Sequence, residues 1–183
     1  MRLRQLVLRV DEMDPFATLG LAPAFDVDLG LLEKVHRDLS RALHPDKYVG
    51  ASATERRTAL ARAVEVNEAF RIVRDPIRRA EALLALRGVV VGEGQEPKAD
   101  AEFLMEMLEQ REALVEARAA RDLVAVRRLS AAIEARARRA EAALAFGFGR
   151  GEAATLLQTL GELKFFRRFL DEVSAIEDEL AAA

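Results

Sequence analysis

The sequence predicts an all-α protein, on three observations. Ala, Leu, Glu and Arg, all strong helix formers, dominate its 183 residues, and runs of β-branched residues are short and few. Apolar residues recur at helical spacing, and capping residues repeatedly stand just before these stretches. Hydrophobic residues make up 51% and charged residues 32%, which supplies a core and keeps its surface solvated. At roughly 100 to 150 residues per domain, the length suits one large domain or two small ones.

The first expected helix is short, with Asp14 as N-cap, Pro15 at the first helical position and Gly20 as its end. Asp28 caps a second helix from about Leu29 to Leu43, in which Leu32, Val35, Leu39 and Leu43 share a face and Pro45 forbids continuation. A loop from His44 to about Ala53 follows. Ser52 or Thr54 can cap a third helix running to about Val73, and Asp75-Pro76 opens a fourth that ends at Gly88. Gly88, Gly92, Gly94 and Pro97 mark an interdomain linker over residues 88–98.

Beyond it, three longer helices are expected near residues 99–118, 121–146 and 152–180, with Gly147, Gly149 and Gly151 at the last turn. Three such helices make an antiparallel bundle. The triple glycine lacks the preceding strand and the spacing of a phosphate-cradling loop and reads as a plain turn. Residues 1–88 carry 15 basic and 13 acidic side chains against 13 and 18 in residues 89–183, so the halves differ in sign, as modules with different partners would.

Composition also excludes. With no Cys, no Trp, one Tyr and two His, disulfides, zinc fingers, thiol nucleophiles and thiolate-held clusters are ruled out on this chain. No metal or other cofactor is expected, because His36 and His44 alone make a poor ligand set. A net charge of -3 argues against nucleic acid as a partner. The arginines at 127, 128, 136, 138 and 139 scatter around their helix among Glu134 and Glu141, as on a solvated face. No apolar run reaches the roughly 18 to 20 residues of a membrane span, so no membrane partner is expected. Residues 1–10 are too short and Ser-free to act as an organelle-targeting peptide and read as an extension, which favours a bacterial cytoplasm over a mitochondrial matrix.

His44-Pro45-Asp46 stands in the loop after the second helix, with Lys47 next. At about 100° per residue, Lys34, Arg37 and Arg41 fall within roughly 60° of one another, opposite the apolar face. A positive stripe thus ends in a proline-stiffened loop offering an imidazole and a carboxylate, an arrangement suited to docking on an acidic surface. The order Asp14-Pro-Phe-Ala-Thr-Leu-Gly-Leu21, basic helix, His44-Pro45-Asp46-Lys47 and long third helix resembles the J-domain of DnaJ-type co-chaperones. Val66-Asn-Glu-Ala-Phe-Arg-Ile-Val-Arg-Asp-Pro76, Arg78-Arg-Ala-Glu-Ala-Leu-Leu84 and Phe103-Leu-Met-Glu-Met-Leu-Glu-Gln-Arg-Glu112 are similar to one branch of that family, the HscB co-chaperones of iron-sulfur cluster assembly.

The resemblance implies an N-terminal J-domain over residues 13–87, an antiparallel helix pair joined by the His-Pro-Asp loop, after an extension at 1–12. A scaffold-binding three-helix bundle would occupy 99–183. It implies that His44, Pro45 and Asp46 stimulate the ATPase of a DnaK/HscA-type heat-shock chaperone, with Lys34, Arg37, Arg41 and Lys47 as docking groups. ATP would be hydrolysed on that partner, and this chain would be no enzyme. A charge-assisted contact from Asp46 would be worth roughly 1.5 to 3 kcal/mol. Matching positions Leu104, Met105, Leu108, Glu109, Glu112 and Phe165 would bind an IscU-type iron-sulfur scaffold protein, which the chain would deliver to the chaperone for cluster transfer.

Helical arithmetic bears on that second surface. Phe103, Met107 and Leu114 cluster within about 40°, while Leu104, Met105 and Leu108 widen the apolar arc to about 200°, more than one core-facing stripe needs. An exposed apolar patch edged by Glu109 and Glu112 is expected, against the alternative that the bundle buries the whole arc. Phe165, Phe166 and Phe169 lie close together in angle, so a local shift would expose Phe166 instead of Phe165. Asn67 reads as a buried hydrogen-bond anchor and His36 as a surface or boundary residue. Two other functions compete: a general J-domain co-chaperone for unfolded clients, and an enzyme using His44 and Asp46 as an acid-base pair. Pro45 makes joint action of that pair on one atom awkward.

Overall fold

A computed structural model describes residues 14–89, 100–150 and 153–182. The expected extension at 1–12 and the expected linker beyond Val89 lie outside the described residues. The chain divides into two compact units between Val90 and Val91. Among the described residues there is no strand, and no helix is long and apolar enough to cross a membrane.

Unit one contains α1 (Pro15–Leu19), α2 (Leu29–Ala42), a 3-10 turn (Pro45–Tyr48), α3 (Ala53–Arg74) and α4 (Pro76–Leu86). Each start has a local cause. The Asp14 carboxylate accepts from the backbone N–H of Phe16 and Ala17 at 2.9 and 3.1 Å, and Gly20 closes α1 at φ 68°. Asp28 caps α2 through Leu31 N–H, and Asp75 caps α4 through Ile77 and Arg78. Ser52, not Thr54, caps α3. Its hydroxyl accepts from Glu55 N–H while the Glu55 carboxylate accepts from Ser52 N–H at 2.8 Å, a reciprocal capping box.

The core of this unit joins Phe16, Leu19 and Phe25 to Leu32 of α2, Val66, Ala69 and Val73 of α3, and Ala80, Leu83 and Leu84 of α4. Arg79 is buried beside it, its guanidinium 4.8 Å from the Phe25 ring centroid and donating to Val73 carbonyl oxygen at 2.9 Å. That contact joins the end of α3 to α4 and replaces the water that the cation gives up.

Unit two is a bundle of α5 (Ala101–Ala119), α6 (Leu123–Arg150) and α7 (Ala153–Ala181). Ion pairs show its register. Arg111–Glu172 and Arg118–Glu179 both span 61 residues, so α5 and α7 run parallel. Arg136 reaches back to Glu106, and Arg127 to Glu177, as antiparallel packing of α6 on both neighbours requires. The buried side chains are Phe103, Met107 and Leu114 of α5, Val126, Ile133, Leu144 and Phe148 of α6, and Leu156, Leu160, Leu163, Phe166, Phe169, Val173 and Ile176 of α7. The three- and four-residue spacing along α7 is that of a bundle seam.

Two expectations fail here. Gly147 and Gly149 lie inside α6, which runs to Arg150, and do not form the turn; Gly151 is outside the described residues. A helix tolerates glycine at about 1 kcal/mol, and at Gly147 the missing side chain makes room for Leu156. Asn67 is exposed, not buried, although it is a hydrogen-bond anchor: its amide oxygen accepts from His36 Nε2 at 2.9 Å. The His36 imidazole, in the middle of α2 and stacked on Phe70 of α3, carries the packing instead of the amide.

Candidate functional site

The first site is built on α2. The His36 ring stacks on Phe70 of α3 at 4.0 Å between centroids while bonding Asn67, which limits the roll of α2 about its axis. With Leu32 buried below, Lys34, Arg37 and Arg41 are all exposed on the other side. The predicted basic stripe is therefore a free face of the helix.

Pro45 begins the 3-10 turn with His44 as its N-cap. The Asp46 N–H donates to His44 Nδ1 at 3.3 Å, and the Lys47 N–H donates to the His44 carbonyl at 3.0 Å. A neutral ring that accepts at Nδ1 carries its proton on Nε2. Asp46 Oδ2 stands 3.4 Å from the same Nδ1, close enough for an ion pair whenever the ring is protonated. The Asp46 side chain is 86% exposed and that of His44 56%, so both are turned to solvent, with Lys47 exposed beside them. The turn thus leaves an imidazole and a carboxylate side by side in solvent, at the end of the basic face of α2.

The second site is on the outer face of α5. Phe103 and Met107 enter the core, at 8% and 7% exposure, whereas Leu104, Met105 and Leu108 stand at 42%, 60% and 50%. The wide apolar arc is thus split between core and surface. Glu109 and Glu112 are exposed along its edge. Because α5 and α7 are parallel, Phe165 of α7 lies level with the start of this patch, its ring meeting Phe103 edge-on at 5.6 Å. It is half-buried, while Phe166 is 3% exposed, so the structure chooses Phe165 as the more accessible ring. Arg136 lies 5.1 Å from the Phe166 ring and bonds Glu106 at 2.7 Å, which fixes the inner side of the same aromatic cluster.

The patch continues where sequence reasoning did not look. A shallow groove of about 430 Å³ between α5 and α7 is lined by Leu108, Arg111, Glu112, Val115, Glu116 and Glu172. Val115 and Glu116 follow Leu108 and Glu112 on the same face, a signal present in the sequence. Glu172 comes from another helix and shows only in three dimensions. Among the described residues, no group of three or more acidic or imidazole side chains is placed to hold a metal ion.

A helix pair capped by a His-Pro-Asp turn, followed by a three-helix bundle, defines a J-domain co-chaperone. Comparison with known proteins narrows this. A family model for the HSCB C-terminal oligomerisation domain matches residues 99–174. The co-chaperone protein HscB homolog of Shewanella pealeana is 34% identical, covering 92% of this chain and 99% of that protein. The homologue of Neisseria meningitidis serogroup A is 33% identical over 87% of this chain and 96% of its own length. The solved structure of chaperone HscB from Vibrio cholerae superposes with a TM-score of 0.82 at 32% identity, covering 92% of this chain and 99% of that one. The chain belongs to the HscB family of co-chaperones.

Proposed function

We propose that the chain couples two partners: it stimulates the ATPase of a DnaK/HscA-type chaperone through its first unit and delivers an IscU-type iron-sulfur scaffold protein held by its second. The boundaries proposed are an extension at 1–12, a J-domain at 13–87, a linker at 88–98 and the scaffold-binding bundle at 99–183. His44, Pro45 and Asp46 would engage the chaperone, guided by Lys34, Arg37, Arg41 and Lys47. Leu104, Met105, Leu108, Glu109, Glu112 and Phe165 would grip the scaffold. A bacterial cytoplasm, where a chain without Cys loses nothing to reducing conditions, is the proposed compartment.

The observation that carries this reading is the division of α5. Three large apolar side chains, Leu104, Met105 and Leu108, remain in water although the same helix buries Phe103 and Met107. Exposure of a contiguous apolar patch with a charged edge is a mark of protein docking. The absence of cysteine adds that a cluster, as cargo, would stay on its scaffold throughout. Titration of purified scaffold into the chain tests the second site, and single-turnover ATP hydrolysis by the chaperone tests the first. Equal binding of unrelated unfolded polypeptides at the α5 patch would instead make the chain a general J-domain co-chaperone.

A further inference from the structure

The groove between α5 and α7 has an uneven chemistry. Its floor is Leu108 and Val115, two apolar side chains one heptad apart at 50% and 60% exposure. One wall is Glu112 and Glu116. The other is Arg111, whose Nε donates to Glu172 at 3.2 Å. Three carboxylates therefore surround an apolar floor, and the single guanidinium among them is already engaged.

We propose that this groove receives one lysine or arginine side chain from the protein docked on the α5 patch. Its methylene stem would lie on Leu108 and Val115, and its cation would take the place of Arg111 between Glu172 and Glu112. The inference rests on the scaffold-binding reading of Leu104, Met105 and Leu108, and adds the chemistry that the partner must bring. Long cationic side chains cover apolar surface with their stems and keep the charged head at the polar rim. The pair to be broken is weak, because Arg111 is 59% exposed and Glu172 39% exposed, so replacing one cation by another requires little. A second copy of this chain is the competing occupant, which sedimentation distinguishes.

The test is calorimetric titration of purified IscU-type scaffold into the full chain at low and high salt. Glu172→Gln should weaken binding about three- to tenfold and flatten the salt dependence. Arg111→Gln, which removes the competing cation, should tighten binding about two- to fivefold, a sign that simple loss of helix packing would not produce. Circular dichroism should show both variants folded. Unchanged affinity and salt dependence in Glu172→Gln, with Leu108→Ala still weakening binding, would overturn the groove and leave the patch standing. No effect of Leu108→Ala itself would remove the patch reading, and the groove with it. Sedimentation supplies the last check: a wild-type dimer dissolved by Val115→Asp, at unchanged scaffold affinity, would make the groove a self-contact and defeat the proposal.

Discussion

Gly147 of α6 lies against Leu156 of α7 so closely that a Cβ built on the glycine would stand 2.8 Å from Leu156 Cδ2. Leu156 is 2% exposed and has little room to turn away. The glycine is thus a packing residue inside a helix, and its value is the approach it allows.

Two glycine substitutions should therefore differ in sign. Gly161→Ala, in the middle of α7 with open space around its Cβ position, should stabilise the chain by about 1 kcal/mol through helix propensity and a less free unfolded chain. Gly147→Ala gains the same propensity but must displace Leu156, at about 1 to 3 kcal/mol, so it should come out neutral to destabilising. Urea unfolding followed by circular dichroism compares them; equal stabilisation by both would contradict the packing role.

Arg121 joins α5 to α6 at φ 53°, a left-handed conformation costly to any side chain with a Cβ. Its N–H donates to the Arg118 carbonyl, and the next N–H, of Asp122, to that of Ala117, as at a helix end closed by a left-handed residue. Arg121→Gly should raise stability by about 0.5 to 1 kcal/mol. A lower melting temperature in that variant would count against strain at this turn.

Asp46→Asn keeps the shape of the exposed turn and removes its carboxylate charge. Because the side chain is 86% exposed, folding should be unaffected. Stimulation of the chaperone ATPase should fall to near the unstimulated rate, through loss of a charge-assisted contact of roughly 1.5 to 3 kcal/mol, while scaffold affinity stays at wild-type level. Loss of both activities in a folded variant would end the two-site description.

Leu104→Ala with Leu108→Ala should do the reverse. Both side chains are about half exposed, so truncation should leave little cavity in the bundle and only small changes in its melting. Scaffold binding should weaken by about 2 to 4 kcal/mol if each leucine is buried on docking, with ATPase stimulation by the first unit retained in the absence of scaffold.

Acid should weaken the start of α3. The Ser52 hydroxyl, and then its backbone N–H, hold the Glu55 carboxyl below its ordinary value of 4.5. A carboxyl lowered in the folded chain contributes stability that is present above its unfolded value and is lost as pH falls through the folded one. The acid limb of the stability profile should therefore be shallower in Glu55→Gln below pH 4.5. Superimposable profiles for the two proteins would rule the capping box out as a source of acid sensitivity.

Much of the fold was legible one helix at a time. Asp14, Asp28, Ser52 and Asp75 announce their helices because an N-cap acts on backbone groups two or three residues away, and Pro15 and Pro76 act on their own turns. The His44-Pro45-Asp46 turn was visible for the same reason. Gly147 and Gly149 misled, because an intrinsic preference for turns is worth about 1 kcal/mol, which helix packing can outweigh. Asn67 misled because its position among apolar residues left the face it occupies unspecified.

The sequence by itself determined that this chain is helical, where most helices start, and which residue types its loop and its wide apolar arc present. Those properties depend on interactions within a turn or two. The tertiary structure decided which side of the arc enters the core, that Phe165 and not Phe166 is the accessible ring, and that Glu172 faces Arg111 across the groove. Each of these depends on the parallel register of α5 and α7, which residues some sixty positions apart establish only when the bundle packs.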